Sequence, residues 1–235
     1  MELGARKILG FGDVFITETV IFAWIVSLAL ILFAYFATRD MKTIPKGAQA
    51  VGELIVETVY NLVGQTMGKH NLNFSPYIGT LFLFLIFGNA LGLLGIRPVT
   101  ANVNTTFALA ALTFVIIHGS AIRSQTLWGY IKHLSSPYPF MLPVNLIGEL
   151  SFPVSLAFRL FGNITGGMII MELLFESLTE LSHGLHLPVP FLNLAIPLPF
   201  NLFFDVFEAG LQGFIFTMLT MVFISNGIIQ HHGEH

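Results

Sequence analysis

Five long apolar segments dominate this chain and restrict what it can fold into. They lie at about residues 17–37, 77–96, 105–122, 141–180 and 191–229. A helix needs about 20 apolar residues to cross the hydrocarbon core of a bilayer, and all five segments are near or above that length. The sequence therefore predicts about five membrane-crossing helices. The first segment is longer than a signal-peptide core and is expected to remain as the first membrane helix.

The last two segments are too long for a perpendicular crossing. Each has about 40 residues, which corresponds to about 60 Å of helix against about 30 Å of hydrocarbon. They must tilt steeply or break, and a short turn at 182–190 would make them an antiparallel hairpin. Prolines that mark kinks or helix starts are Pro143, Pro153, Pro197 and Pro199.

The composition supports an all-α integral membrane protein with one membrane domain over residues 1–235. Hydrophobic residues make up 54% and charged residues 10% of the chain, and mean hydropathy is +0.80. Soluble domains carry about 25% charged residues. A net charge of -3 argues against a nucleic-acid binder. The chain contains no cysteine, which excludes disulfides, thiolate metal sites and a cysteine nucleophile.

Residues 48–67 form a segment of a different kind. Apolar side chains at Val51, Leu54 and Val59 share one helical face, whereas Glu53 and Glu57 lie on another. This pattern predicts an amphipathic helix on the membrane surface.

Basic residues give the orientation. Six of them fall in the connectors after the first and third spans: Arg39, Lys42, Lys46, Lys69, Arg123 and Lys132. Three fall on the opposite side: Arg6, Lys7 and Arg97. The positive-inside rule then predicts an outside N-terminus and a cytoplasmic C-terminus.

An arginine lies near the middle of the fourth segment. Ser151, Ser155, Arg159 and Asn163 recur every four residues and form one helical face. Arginine near the bilayer centre costs about 2.5 to 3.5 kcal/mol on insertion scales, so it is kept where it lines water or meets a partner. A helix-packing face with a snorkelling arginine is the alternative.

The fifth segment carries a second polar face. Asn201, Asp205, Glu208 and Gln212 fall on one side of a helix. In an antiparallel hairpin of the fourth and fifth segments, two residues lie at the same depth where their numbers sum to about 371. Arg159 would then face Gln212, Asn163 would face Glu208, and Met168 would lie near Asp205. Such a layer indicates an ion or proton path, or a structural ion-pair network.

Four short stretches carry a resemblance to a known family: "ANVNTT" at 101–106, "PVSLAF" at 153–158, "RLFGN" at 159–163 and "LQGFIFTMLTMVFIS" at 211–225. They resemble subunit a of the membrane sector of rotary F-type ATP synthase. The resemblance implies that Arg159 is the essential arginine facing a ring of c subunits, with Gln212 as the matching glutamine. It also implies two water-filled half-channels, a b-type peripheral stalk partner, and a multi-pass protein of the bacterial inner membrane.

The chain departs from the family at one position. Many members have a carboxylate or histidine nine residues after the arginine, where this chain has Met168. The resemblance places the partner of that residue at Asp205. The ion relay is therefore expected to rest on Asp205, with Glu208 and Glu172 as helpers, and to carry H⁺ or Na⁺ without a cofactor or metal. Glu172, Glu176 and Glu180 form a row that can line a cation entrance or a solvated helix end.

Two other classes remain as alternatives. A secondary transporter or stand-alone channel would use Arg159 to bind an anionic substrate, although the internal repeats common in such folds are not apparent. An intramembrane metalloenzyme would draw on the histidines, but no HExxH motif occurs. Histidines with possible metal-ligand spacing are His183 and His186, with three more in the tail at 231–235. On the family reading, the subunit is not an enzyme on its own.

Overall fold

A computed structural model describes residues 7–11, 14–135, 138–184 and 196–229. Six long helical segments organise it: α1 Glu18–Arg39, α2 Ala48–Met67, α3 Ser75–Ala90, α4 Val103–Leu134, α5 Leu142–Gly184 and α6 over 197–229. Four short 3₁₀ helices flank them: Lys69–Phe74, Leu91–Leu94, Val99–Ala101 and Pro139–Met141. The predicted all-α class is confirmed.

A short antiparallel hairpin precedes α1 and was not predicted. Its strands are β1 Lys7–Phe11 and β2 Val14–Thr17, paired so that Leu9 lies opposite Ile16. Isolated two-stranded hairpins are only marginally stable. This one is continuous with α1, which begins directly after β2.

Five helices of the described chain are long and apolar enough to cross a membrane. They are Glu18–Arg39, Lys69–Leu94, Val103–Ser124, Pro139–Ser182 and Pro197–Ile228. They correspond to the five predicted segments, and the chain is an integral membrane protein. The last begins at Pro197, within the prediction of 191–229, and the predicted residues 191–195 lie outside the described residues.

The fourth span is one unbroken helix. α5 has 43 residues, about 65 Å of helix, and Pro153 lies inside it without ending it. The sequence predicts that this segment either tilts or breaks. Because α5 is unbroken, it must tilt to fit its length within the bilayer. The turn predicted from residue 182 starts later, because α5 continues to Gly184, and residues 185–190 lie outside the described part.

Helix α2 has the bounds predicted for the surface helix, and it does not qualify as a membrane span. However, its buried side matches the predicted apolar face only in part. Val59, Val63 and Met67 pack in a core cluster, whereas Val51 and Leu54 are 50% and 64% exposed. The C-terminal half of α2 is therefore anchored to the helix bundle rather than only resting on a surface.

Helices α5 and α6 pack antiparallel. The rings of Phe152 and Phe223 lie 3.6 Å apart between centroids, and Leu160 shares a core cluster with Phe216. Further along α5, Gly167 approaches Phe204. Contacts thus ascend along α5 as they descend along α6, which confirms the antiparallel hairpin.

Candidate functional site

Arg159 projects from the exposed side of α5. Its neighbours Leu156 and Leu160 are buried at 2% and 0% exposure, so the helix turns those side chains inward and the guanidinium outward. Within the residues that the structure describes, Arg159 has no hydrogen-bond or ion-pair partner. A charge in an apolar span needs a partner or water, and for Arg159 this must come from outside the described chain.

Asn163, one turn after the arginine, joins α5 to α6. Its Nδ2 donates a hydrogen bond of 2.8 Å to Oε1 of Gln212. Gln212 is only 2% exposed, and its Nε2 has no partner among the described residues. The Gln212 amide is therefore held by its oxygen, while its NH₂ group lacks a partner in the described chain. An unsatisfied buried donor is costly, so this NH₂ group is available to bind water or another polar group.

This contact corrects the predicted register. Gln212 was expected to face Arg159, and Asn163 to face Glu208, whereas Gln212 pairs with Asn163. A constant sum of residue numbers assumes that both helices rise uniformly. The pairs Phe152–Phe223 and Asn163–Gln212 both sum to 375, so the two helices are offset by about four residues from the predicted sum of 371. Residues Phe203–Glu208 form a π-helical turn, which is wider than an α-helical turn and accounts for about one residue of this offset.

A cavity of about 410 Å³ opens beside this pair, between α3, α5 and α6. Its polar lining comes from three separate parts of the chain: Asn89, Arg97, Asn163, Glu172, Asn201, Asp205 and Glu208. Met168 also lines it, so Met168 and Asp205 share the cavity as predicted. The lining combines the C-terminal end of α3 with the turns that follow it, residues 163–175 of α5 and the start of α6.

The structure thus separates what the sequence analysis placed in one layer. Asp205, Glu208 and Glu172 surround the cavity with Asn163, whereas Arg159 lies on the exposed surface one turn away and does not line it. Asp205 and Glu208 are both half-buried. The predicted convergence of the arginine and the carboxylates on one layer is therefore not observed in the described residues, because Arg159 lies one helical turn from Asn163 and only Asn163 reaches the cavity.

The acidic row on α5 is divided in the same way. Glu172 lines the cavity, while Glu176 and Glu180 are exposed and do not. Glu172 therefore remains the one member of the row that contacts the candidate path.

The end of α3 supplies residues that the sequence analysis missed. Asn89 is 1% exposed, accepts a hydrogen bond from the Thr100 hydroxyl, and keeps Nδ2 unpaired in the described chain. Arg97 donates to the Ala101 carbonyl oxygen at 3.3 Å. The sequence did carry a signal for Asn89, because a polar amide within an apolar span is costly unless it has a partner. Arg97 was counted only as a loop charge.

Comparisons with known proteins identify the family. The family model for the ATP synthase A chain matches residues 20–225. ATP synthase subunit a of Moorella thermoacetica is 36% identical over 96% of this chain and 97% of its own length. The chain belongs to the ATP synthase subunit a family. The family suggested by "RLFGN" and its neighbouring stretches is thus confirmed.

Other members of the family are equally similar. ATP synthase subunit a 1 of Pelobacter propionicus is 37% identical over 92% of this chain and 89% of its own length. ATP synthase subunit a, sodium ion specific, of Propionigenium modestum is 35% identical over 97% of this chain and 78% of its own length. As a family member, this chain is a membrane component of a bacterial-type ATP synthase.

A second polar cluster joins α4 to the first turns of α5. His118 Nδ1 and the Tyr130 hydroxyl are 2.6 Å apart, and His118 Nε2 lies 3.9 Å from Glu149 Oε2 on α5. Burial, followed by the charge of Glu149, raises the pKa of Tyr130 to about 12. The phenol therefore keeps its proton, and its O–H group can donate a hydrogen bond to Nδ1 of His118. His118 is thus a hydrogen-bonded residue packed between α4 and α5.

In the described part of the chain, no group of three or more His, Asp or Glu side chains is placed to hold a metal ion. The structure does not describe the side chain of His183, and it does not describe His186 or residues 231–235.

The observed register makes a direct prediction. In a chain without cysteine, Asn163→Cys combined with Gln212→Cys should be crosslinked efficiently by a short bifunctional thiol reagent, because the native side chains touch. Asn163→Cys with Gly210→Cys is the matched control and should react more slowly, since residue 210 is turned away from residue 212 on the helix. Mass spectrometry of the crosslinked peptide measures both. Preferential crosslinking at residue 210 would contradict the register.

Proposed function

We propose that this chain is the ion-translocating stator subunit of a rotary ATP synthase. In this proposal the cavity is one half-channel, a second half-channel opens to the opposite side, and Arg159 lies between them against a ring of c subunits. The proposed partners are the c ring, a b-type peripheral stalk, membrane lipid and the translocated H⁺ or Na⁺. The N-terminus is outside and the C-terminus cytoplasmic.

The observation that carries the proposal is the exposed guanidinium of Arg159, which has no partner among the described residues. It lies near the middle of α5, on a surface open to another protein. A ring carboxyl moving through lipid is favoured in its neutral, ion-loaded form, because desolvation penalises charge. Next to a fixed positive charge the ionised form is favoured, so the carboxyl releases its ion there. Release is thereby tied to rotation.

In this proposal the cavity gives the ion a route from one side of the membrane. Carboxylates and amides line it as far as Asn163, one turn from Arg159. Beyond that point the fixed charge of Arg159 opposes a cation passing directly to the other side. This barrier matters because each unit charge that crosses 100 mV carries about 2.3 kcal/mol, which a leak would waste.

The roles of the cavity residues follow from their positions. Asp205 is proposed as the main ion-exchanging group, with Glu208 and Glu172 as neighbouring carboxylates. Asn163 and Gln212 are proposed to hold α5 and α6 at a fixed separation beside the arginine, since their hydrogen bond joins the two helices at that level.

Reconstitution tests the proposal against a transporter or stand-alone channel. Vesicles containing the complete membrane sector should conduct H⁺ or Na⁺ under an imposed potential, whereas vesicles with this chain alone should not. Flux of similar size from the chain alone would support a transporter or channel. ATPase activity of the purified complex with and without Na⁺ then identifies the ion, a distinction made relevant by the sodium-specific relative.

A further inference from the structure

We propose that Gly92 and Gly167 are positioning residues that seat the π-helical turn Phe203–Glu208 and so set where the Asp205 carboxylate lies in the cavity. This inference rests on the proposed function in one respect only, namely that Asp205 exchanges the ion. The seat itself is a geometric feature of the fold.

Gly92 leaves room for the carboxylate. A Cβ atom at this position would lie 2.9 Å from Asp205 Oδ1 and 3.3 Å from Asp205 Cγ. Real Cβ atoms essentially never come that close to another heavy atom. Any side chain at residue 92 must therefore displace the carboxylate. Gly92 belongs to the 3₁₀ turn Leu91–Leu94 that follows α3, so the end of α3 acts as one wall of the seat.

Gly167 leaves room for the neighbouring ring from the opposite side. A Cβ atom there would lie 2.9 Å from Phe204 Cδ1 and 3.4 Å from Phe204 Cγ. A ring atom cannot move alone, because the aromatic plane is rigid. Relief of the clash would rotate or shift the ring of Phe204 and so disturb the packing of the π-helical turn that carries Asp205.

Adjacent residues of the π-helical turn thus contact different glycines. Phe204 rests against α5 and Asp205 against the end of α3. π-helical turns are rare and occur frequently at functional sites. In a regular α-helix Asp205 would be presented at another angle, so the wider turn and the two glycines together define its direction. Both glycines and Asp205 line the same cavity.

The chain provides close controls for both positions. Gly166 precedes Gly167 on α5, and a Cβ atom added there would have no neighbour within 4 Å. Gly88 lies one turn before Gly92 and would place its Cβ atom 3.5 Å from Val99 Cβ, an ordinary contact. Alanine raises helix propensity similarly at neighbouring helical positions. A difference between Gly167→Ala and Gly166→Ala therefore reports the contact with Phe204.

The first measurement is ion-driven ATP synthesis by the assembled complex in vesicles. Gly92→Ala and Gly167→Ala are each expected to lower the rate on the order of 10-fold or more, as misplacement of a reacting group does. Gly88→Ala and Gly166→Ala should stay within about 2-fold of the parent, because neither creates a close contact. Parent-like rates for both Gly92→Ala and Gly167→Ala in assembled complexes would overturn the proposal.

The second measurement reports position without requiring transport. In an Asp205→Cys background, the rate of labelling by a small water-soluble thiol reagent measures how residue 205 faces the cavity. Gly167→Ala should change this rate severalfold, while Gly166→Ala should not. Gly92→Ala is omitted from this measurement, because cysteine lacks the Oδ1 atom that a Cβ at residue 92 would meet. Unchanged labelling would overturn the seat even if transport fell. If the seat fails while Asp205→Asn still abolishes transport, the error lies in the seat and not in the proposed function.

A compensating substitution distinguishes positioning from general damage. Phe204→Ala leaves only the Cβ atom, which lies at 3.6 Å, an ordinary distance. Adding Gly167→Ala in that background should therefore cost little further activity or labelling change. An equal loss in both backgrounds would show that Phe204 does not transmit the effect. This arm also remains available if Gly92→Ala fails to assemble.

Discussion

Replacing Arg159 with alanine is expected to abolish coupled ATP synthesis and to open an ion leak. Loss of a fixed electrostatic group at a reacting centre costs on the order of 100-fold or more in rate. Alanine also removes the charge that separates the proposed half-channels, so ions should cross without rotation. The measurement is ion flux through ring-containing vesicles under an imposed potential, with the catalytic heads removed, together with ATP synthesis by the intact complex.

Arg159→Lys separates the two roles of this charge. Lysine keeps a positive charge but is compact, strongly hydrated and able to lose its proton when buried, whereas guanidinium stays charged and offers five donors in a planar fork. Coupled synthesis should be lost with lysine too, but with less leak than with alanine. Val154→Ala, an exposed position on the same helix, is the control. An Arg159→Ala complex that assembles, synthesises ATP at the parent rate and does not leak would refute the role of this residue.

Replacing Asp205 with asparagine is expected to lower ion-driven ATP synthesis about 100-fold, the loss typical for removing a proton-transferring group. Asparagine keeps the shape of the side chain, so the seat formed by Gly92 and the π-helical turn should persist. Only the titrating charge is lost. The measurement is ATP synthesis in vesicles energised by an ion gradient, with the amount of assembled complex determined in parallel.

Glu57→Gln provides the matched control for Asp205. It also removes one carboxylate, but from α2, where it does not line the cavity. Its synthesis rate should equal that of the parent. If Asp205→Asn assembles normally and its rate is unchanged, the ion path must use Glu172 or Glu208, the other carboxylates in the cavity lining.

The sequence alone determined the membrane architecture, because spans and helix periods are local properties. Twenty apolar residues must cross the bilayer as a helix, since no other open structure satisfies backbone hydrogen bonds in hydrocarbon. That requirement placed all five spans, and the 3.6-residue period set the bounds of α2 at Ala48–Met67. The motif "RLFGN" is likewise a contiguous stretch, so the sequence alone indicates the family and Arg159.

Part of the candidate site was also visible in the sequence. Asn163, Asp205, Glu208 and Glu172 were selected as polar residues in apolar segments, and all four line one cavity. Polar groups in such segments are costly, so their presence is informative without knowledge of the fold.

Tertiary structure decided which of these residues meet. The pairing of Asn163 with Gln212 depends on how far α5 and α6 are offset along one another, which the period of a single helix does not reveal. The contribution of Asn89 and Gly92 depends on packing between α3 and α6, which are separated by about a hundred residues. Long-range contacts of this kind are fixed by side-chain shape and by the space that a glycine leaves, and neither is encoded in the periodicity of a single segment.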